Sequence, residues 1–239
     1  MAPLPPPFRS DGAGSAALRP LRVLATGFEP FGGSPLNPAA VLMESLAGAG
    51  APGCELRTLL LPVVGGEAPG SARALLRAAV DALRPDAVVM FGEAHTRGAV
   101  SVERIAVNLR AYRIADNGGA TIDDAPVVAG GPDGLFAALP VHRLVEAVLA
   151  AGLPAEHSFH AGTFLCNEVM YDTLERRRRD GAPRYAGFVH LPQLPEQREA
   201  RPVPAAPMGH DEGLRAAQAL LGALAAEWAR DRKRRLELS

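Results

Sequence analysis

Short apolar runs alternate with amphipathic stretches of helical length along most of the chain, and this alternation constrains the fold more than any other feature. Residues 21–26, 55–62, 87–91, 100–109, 156–159 and 186–191 have the strand pattern. The run 87–91 is apolar throughout, as in a strand buried on both faces. Helices are expected from Asn37-Pro38, an N-cap followed by a first-turn proline, to about residue 46, and over 71–83. Further helices are expected over 141–151, closed by Gly152, and over 165–179 and 212–235. Strands alternating with helices predict one α/β domain: a central, mostly parallel twisted sheet flanked by helices on both faces. No internal repeat or linker divides it. Residues 1–20 are rich in Pro, Gly and Ala, have too little apolar surface to order themselves, and are expected to form a flexible N-terminal tail. The domain is then 21–239.

Composition narrows the function classes. The 239 residues suit one large domain that buries a full core. With 25 Lys plus Arg against 26 Asp plus Glu, the net charge is −1, whereas a nucleic-acid partner asks for a basic excess. Two cysteines, Cys54 and Cys166, provide neither a disulfide framework nor a cysteine metal cluster. No apolar run approaches the roughly 18 residues of a membrane span. The first 20 residues lack the apolar stretch of a secretory signal, and with two unpaired cysteines the expected compartment is the cytoplasm. The four-arginine run 176–179 fits a solvated last helical turn better than a phosphate site, given the neutral total.

Cys166 follows a strand and the turn His160-Ala161-Gly162-Thr163, and opens a helix. A thiol in a first helical turn faces free N–H groups and the positive dipole end, which favour the nucleophilic thiolate. The same N–H groups can receive an oxyanion. The plain alternative is a small core residue. Cys54, after a Pro-Gly turn, has no such setting and is assigned to packing. A nucleophilic cysteine needs a base, and the base an orienting group. His190 closes the apolar run 186–189, at the strand end where open α/β sheets gather functional groups. It could equally be a satisfied structural histidine. Glu103 alternates onto the face of Ile105, Val107 and Leu109. A carboxylate among aliphatic neighbours must be paired, with a catalytic histidine or with an arginine. Glu93 competes, but Gly92 beside it suggests a loop. His157 and His160 make only a weak H-x-x-H metal signal, and H-E-x-x-H is absent. His95, His142 and His210 have no supporting pattern.

The loop Thr26-Gly27-Phe28-Glu29-Pro30-Phe31-Gly32-Gly33 follows the first strand. It matches neither phosphate-binding glycine motif. Its two phenylalanines suit a compact apolar pocket, or else plug the core beneath the loop.

Four motifs together resemble one family. The 26–33 loop with Asn37-Pro38 resembles the N-terminal signature of the type I pyroglutamyl peptidases, which are cysteine peptidases. Glu103-Arg104-Ile105-Ala106-Val107-Asn108, with Arg113-Ile114-Ala115-Asp116-Asn117, is similar to the family's glutamate segment. Ala161-Gly162-Thr163-Phe164-Leu165-Cys166-Asn167, with Tyr171, resembles its cysteine signature. Gly187-Phe188-Val189-His190-Leu191-Pro192, then Pro195-Glu196-Gln197, resembles its histidine segment. The motifs stand in family order across about residues 21–197. The resemblance implies Cys166 as nucleophile, His190 as base and Glu103 as its orienter. It implies a pyroglutamyl-ring pocket from Phe28, Phe31, Phe164 and Leu165 with Asn37 nearby. It also implies hydrolysis after an N-terminal pyroglutamyl residue of peptides through a thioester, no metal or cofactor, and a cytoplasmic homotetramer. Three departures stand against the pattern: 93–98 is not glycine-rich, Val63 replaces an expected Thr, and Glu168 replaces an expected His. They leave open a cysteine hydrolase of another small amide or lactam on the same scaffold, or a non-catalytic lactam-binding module.

Overall fold

The computed structural model describes residues 3–9, 19–199 and 202–237. Its elements in chain order are β1 (Leu21–Phe28), α1 (Pro38–Ala49), β2 (Cys54–Leu61), α2 (Ala72–Leu83), β3 (Ala87–Glu93), β4 (Val100–Glu103) and β5 (Ile105–Val107). Then come β6 (Gly134–Phe136), α3 (Val141–Ala150), β7 (Ala155–Ser158), α4 (Leu165–Asp180), β8 (Tyr185–Leu191) and α5 (His210–Glu237). The expected α/β architecture is present. A six-stranded sheet runs β2-β1-β3-β8-β4-β7. β1, β2, β3 and β8 are parallel, whereas β4 runs antiparallel to β8 and carries the parallel β7.

Alternation along each strand builds two cores. Val23, Ala25, Val89 and Val189 face α1, α3 and α5. Leu24, Val88, Met90 and Phe188 face α2 and α4. α1 starts where the sequence places it: Asn37 Oδ1 accepts from Ala39 N at 2.9 Å, satisfying one of the helix's orphan donors.

The single strand expected over 100–109 is two. At Arg104 the backbone N–H donates to Ser158 O (2.7 Å), while the carbonyl accepts from Ala137 N (2.9 Å). These bonds lead to different elements, so the chain leaves the central sheet there. β5 then pairs antiparallel with β6 in a small second sheet.

Residues 3–9 of the expected tail lie against the corner of the sheet at β2. Arg57 Nε donates to Pro6 O (2.8 Å) and its Nη2 to Pro7 O (2.7 Å), while Arg9 N donates to Glu55 Oε1 (2.7 Å). The Phe8 ring lies 5.1 Å from the Arg57 guanidinium, and Leu4 and Phe8 pack on the second core. This stretch has partners supplied by β2, which its own composition could not reveal; 10–18 lie outside the described residues. No helix among the described residues is long and apolar enough to cross a membrane.

Candidate active site

His190 lies on β8 between Gly92 of β3 and Ser101 of β4, to which it pairs. Glu103 is two residues beyond Ser101, hence on the same face of β4. The diagonal brings their side chains together: His190 Nδ1 and Glu103 Oε1 are 2.7 Å apart. Both are buried, at 4% and 0% exposure. Arg97, in the loop after β3, donates from Nη1 to the same Glu103 oxygen (2.6 Å) and from Nη2 to His160 O (2.8 Å).

Cys166 occupies the first turn of α4. Phe164 at the N-cap provides no side-chain cap, so the first N–H groups of the helix stay open. The sulfur reaches the sheet at Gly92, where an added Cβ would stand 3.1 Å from Sγ and 2.7 Å from the Phe188 ring. Gly92 pairs in register with His190, so the side of Gly92 that meets Sγ is the side on which the imidazole projects. Glycine at 92 is thus what lets the thiol approach the histidine strand.

The electrostatics follow from this burial. Cys166 is pushed up to about 12, first by burial and then by the Glu103 charge, against the helix N–H groups and Arg97. Helix position favours the thiolate, and burial with the Glu103 charge opposes it. His190 is lowered by burial, with Glu103 pulling the other way. Burial raises the Glu103 carboxyl, but the bond and charge of His190, with Ser158 and Arg97, outweigh it and leave it below its ordinary value.

Of the five residues expected around a ring, two are partly open. Phe31 and Phe164 lie side by side, tilted by 40° with centroids 6.2 Å apart. Phe28 is buried and packs 6.5 Å from Phe188. The Leu165 side chain is buried in the second core, leaving its backbone N–H as what it can offer a ligand. Asn37 is buried too, its amide bonded to Ala39 N and Glu29 O, so it shapes the 29–33 loop from behind.

Glu93, the competing carboxylate, is buried at the end of β3, and its Oε2 accepts from Gln197 Nε2 at 3.1 Å. Cys54 packs against the first core, with Sγ 3.6 Å from Leu221 O. His157 stacks on His142, and among the described residues no group of three or more His, Cys, Asp or Glu could hold a metal. The 176–179 arginines are engaged with Asp81, Asp180, Glu175 and Arg184 O, as a helix end should be. Sequence reasoning missed Arg97, whose spacing from Glu103 carries no motif. It also missed the fixing of α4 by Asn167, which bonds Val107 N, Val107 O and Leu109 O at 2.9, 2.9 and 3.0 Å.

The profile of a family described as Pyroglutamyl peptidase matches residues 21–226. The chain belongs to this family. Among relatives, the pyrrolidone-carboxylate peptidase of Pyrococcus furiosus is 40% identical over 177 residues, 74% of this chain and 83% of that one. The one from Chromobacterium violaceum is 46% identical over 175 residues, 73% of this chain and 79% of that one. The crystal structure of Bacillus amyloliquefaciens pyroglutamyl peptidase I superposes with a TM-score of 0.80 at 32% identity, covering 86% of this chain and 97% of that chain. Membership of the pyroglutamyl peptidases makes this chain a cysteine-type peptidase on a mixed α/β sheet.

Proposed function

We propose that Cys166, His190 and Glu103 carry the reaction of this pyroglutamyl peptidase, hydrolysis of the amide bond after an N-terminal pyroglutamyl residue. The observation that supports it best is the buried Glu103–His190 bond, with the Cys166 sulfur against Gly92 on the same face. With Glu103 ionised, His190 holds its proton on Nδ1 and keeps Nε2 free. Nε2 takes the thiol proton as Sγ attacks the carbonyl that links the lactam residue to the next amino acid. Glu103 stabilises the imidazolium so formed, and the open N–H groups of α4 receive the oxyanion. His190 then protonates the departing amine, leaving a thioester. A water, deprotonated by the same nitrogen, hydrolyses it to pyroglutamate and the free thiol. A raised thiol suits this sequence, because the proton moves when attack begins.

A pyroglutamyl ring is neutral and compact, so it wants apolar walls and a few amide-directed hydrogen bonds. Phe31 and Phe164 supply the walls in this reading, with Phe28, Leu165 and Asn37 fixing them from behind. The substrates are peptides with an N-terminal pyroglutamate. The family resemblance further suggests a cytoplasmic homotetramer, whose subunit number light scattering on the purified chain checks. The reaction is tested by release of a reporter amine from a pyroglutamyl-blocked substrate: wild type turns it over and Cys166→Ala does not. Full activity in Cys166→Ala would remove the assignment.

A further inference from the structure

Glu168, one of the departures from the family pattern, is fully buried in the first turn of α4. Its Oε1 accepts from Gly66 N at 2.9 Å and lies 3.5 Å from Arg73 Nη1. Its Oε2 accepts from the hydroxyl of Tyr112, a residue that no motif singles out. The Tyr112 ring meets Phe164 edge to face, with centroids 4.8 Å apart. Its neighbour Ala111 is tied to the turn before Phe164: Ala111 N donates to Thr163 O (3.0 Å), and Thr163 Oγ1 donates to Ala111 O (2.7 Å). Residues 111–112 therefore bracket Phe164 from position 163 on one side and position 168 on the other.

A ring that only filled space would not need its hydroxyl. Here the hydroxyl is bonded to a buried carboxylate, a stronger and more directional bond than one to a neutral acceptor. The opposing backbone has made room for it, since a Cβ at Gly65 would lie 2.0 Å from the Tyr112 oxygen. The ring is thereby held in one place and orientation. Phe164 precedes the Cys166 helix and is one of the two partly open aromatics of the site. We propose that Tyr112, held by Glu168, is a positioning residue that fixes the Phe164 ring and so sets how tightly the substrate's ring is bound beside Cys166. It acts on binding and leaves the chemical step alone. The identity of that ring rests on the function proposed above.

The test compares Tyr112→Phe, which keeps the ring and removes the bond, with Tyr112→Ala, which removes both. On the pyroglutamyl reporter, KM rises about threefold in the first and about tenfold or more in the second, with kcat held within about twofold. The inhibition constant of 2-pyrrolidone rises in parallel. Glu168→Gln, which keeps an acceptor for Tyr112, raises KM less than Glu168→Ala. An unchanged KM in Tyr112→Ala, or a fall in kcat at constant KM, overturns the proposal. If Tyr112→Ala does not fold, the same split in Tyr112→Phe decides. If wild type leaves the pyroglutamyl substrate uncut, the function reading fails by itself, and labelling of Cys166 then decides the positioning role. The rate with N-cyclohexylmaleimide relative to iodoacetamide should fall several-fold in Tyr112→Ala, and an equal ratio overturns it.

Discussion

Two forces act on the Cys166 proton. The helix N-terminus draws it off, and burial next to the Glu103 charge holds it on; burial wins and pushes the thiol to about 12. Sequence reveals the first force, because a cysteine opening a helix is a local pattern. It does not reveal the second, which depends on how closely α4 is pressed onto Gly92. Iodoacetamide should therefore label Cys166 at a rate that climbs steadily with pH; a plateau near neutrality would mean a resting thiolate and refute this. His190 gives a second prediction. It works as a base only when neutral, and burial lowers it from the ordinary 6.5. The acid limb of kcat/KM should therefore lie below pH 6.5, with activity lost as the pH falls through the lowered value. Glu103 pulls His190 upward, so Glu103→Gln should move that limb further toward acid while cutting kcat by about 10²–10⁴. A limb at or above 6.5 in wild type would contradict the burial argument.

Elements bring these residues together, and here the sequence is legible in part. The two strands are legible as the apolar runs 87–91 and 186–191, and the Asn37-Pro38 start of α1 follows from local capping chemistry alone; that the two strands are neighbours and that β3 runs on through Gly92 to pair with His190 is not. The break at Arg104 is hidden because alternation continues through it; only the diverging bonds to Ser158 and Ala137 divide the strand. The reversed direction of β4 is equally hidden, since strand direction is set by partners distant in sequence, and so is the Ser101–His190 pairing that sets Glu103 diagonal to His190. Tyr112 and Glu168 are 56 residues apart and share no motif, so their pairing could not be read. The close seating of α4 on β3 leads to a prediction for Gly92→Ala. The new methyl would meet the Phe188 ring at 2.7 Å and Sγ at 3.1 Å. Overpacking of this kind costs about 1–3 kcal/mol. Because the displaced groups include the sulfur, kcat/KM should drop by more than the loss of folded protein explains, which thermal melts alongside kinetics will show. A fully active Gly92→Ala would mean that the thiol does not depend on this approach.

Among the described residues two cores lie on opposite faces of the central sheet, and the face that carries α2 and α4 also holds the site. That second face has a buried ionic seam. Arg73, 1% exposed, donates from Nη2 to Asp172 (2.8 Å) and lies 3.5 Å from Glu168, while Arg77 Nε donates to Asp172 at 2.8 Å. Through Glu168 the seam continues to Tyr112 and the aromatic wall, so stability of the α2–α4 layer and placement of the wall share one set of charges. Removing one partner of such a network is worse than removing all of it, because the charges left behind stay buried. Arg73→Met should then lower stability by about 3–5 kcal/mol, toward the lower end because Arg77, Gly66 and Tyr112 still serve the two carboxylates. At about 2–4 °C per kcal/mol for a chain of this size, the melting temperature should fall by roughly 6–20 °C. Adding Glu168→Gln and Asp172→Asn to Arg73→Met removes the two buried carboxylate charges, leaves Arg77 to Glu67 and to solvent at its 36% exposed side chain, and should recover a large part of that loss, although each change alone destabilises the wild type. Recovery would show that uncompensated charge, and not lost packing of the arginine stem, is what the seam guards against. A triple variant no more stable than Arg73→Met would assign the loss to packing instead.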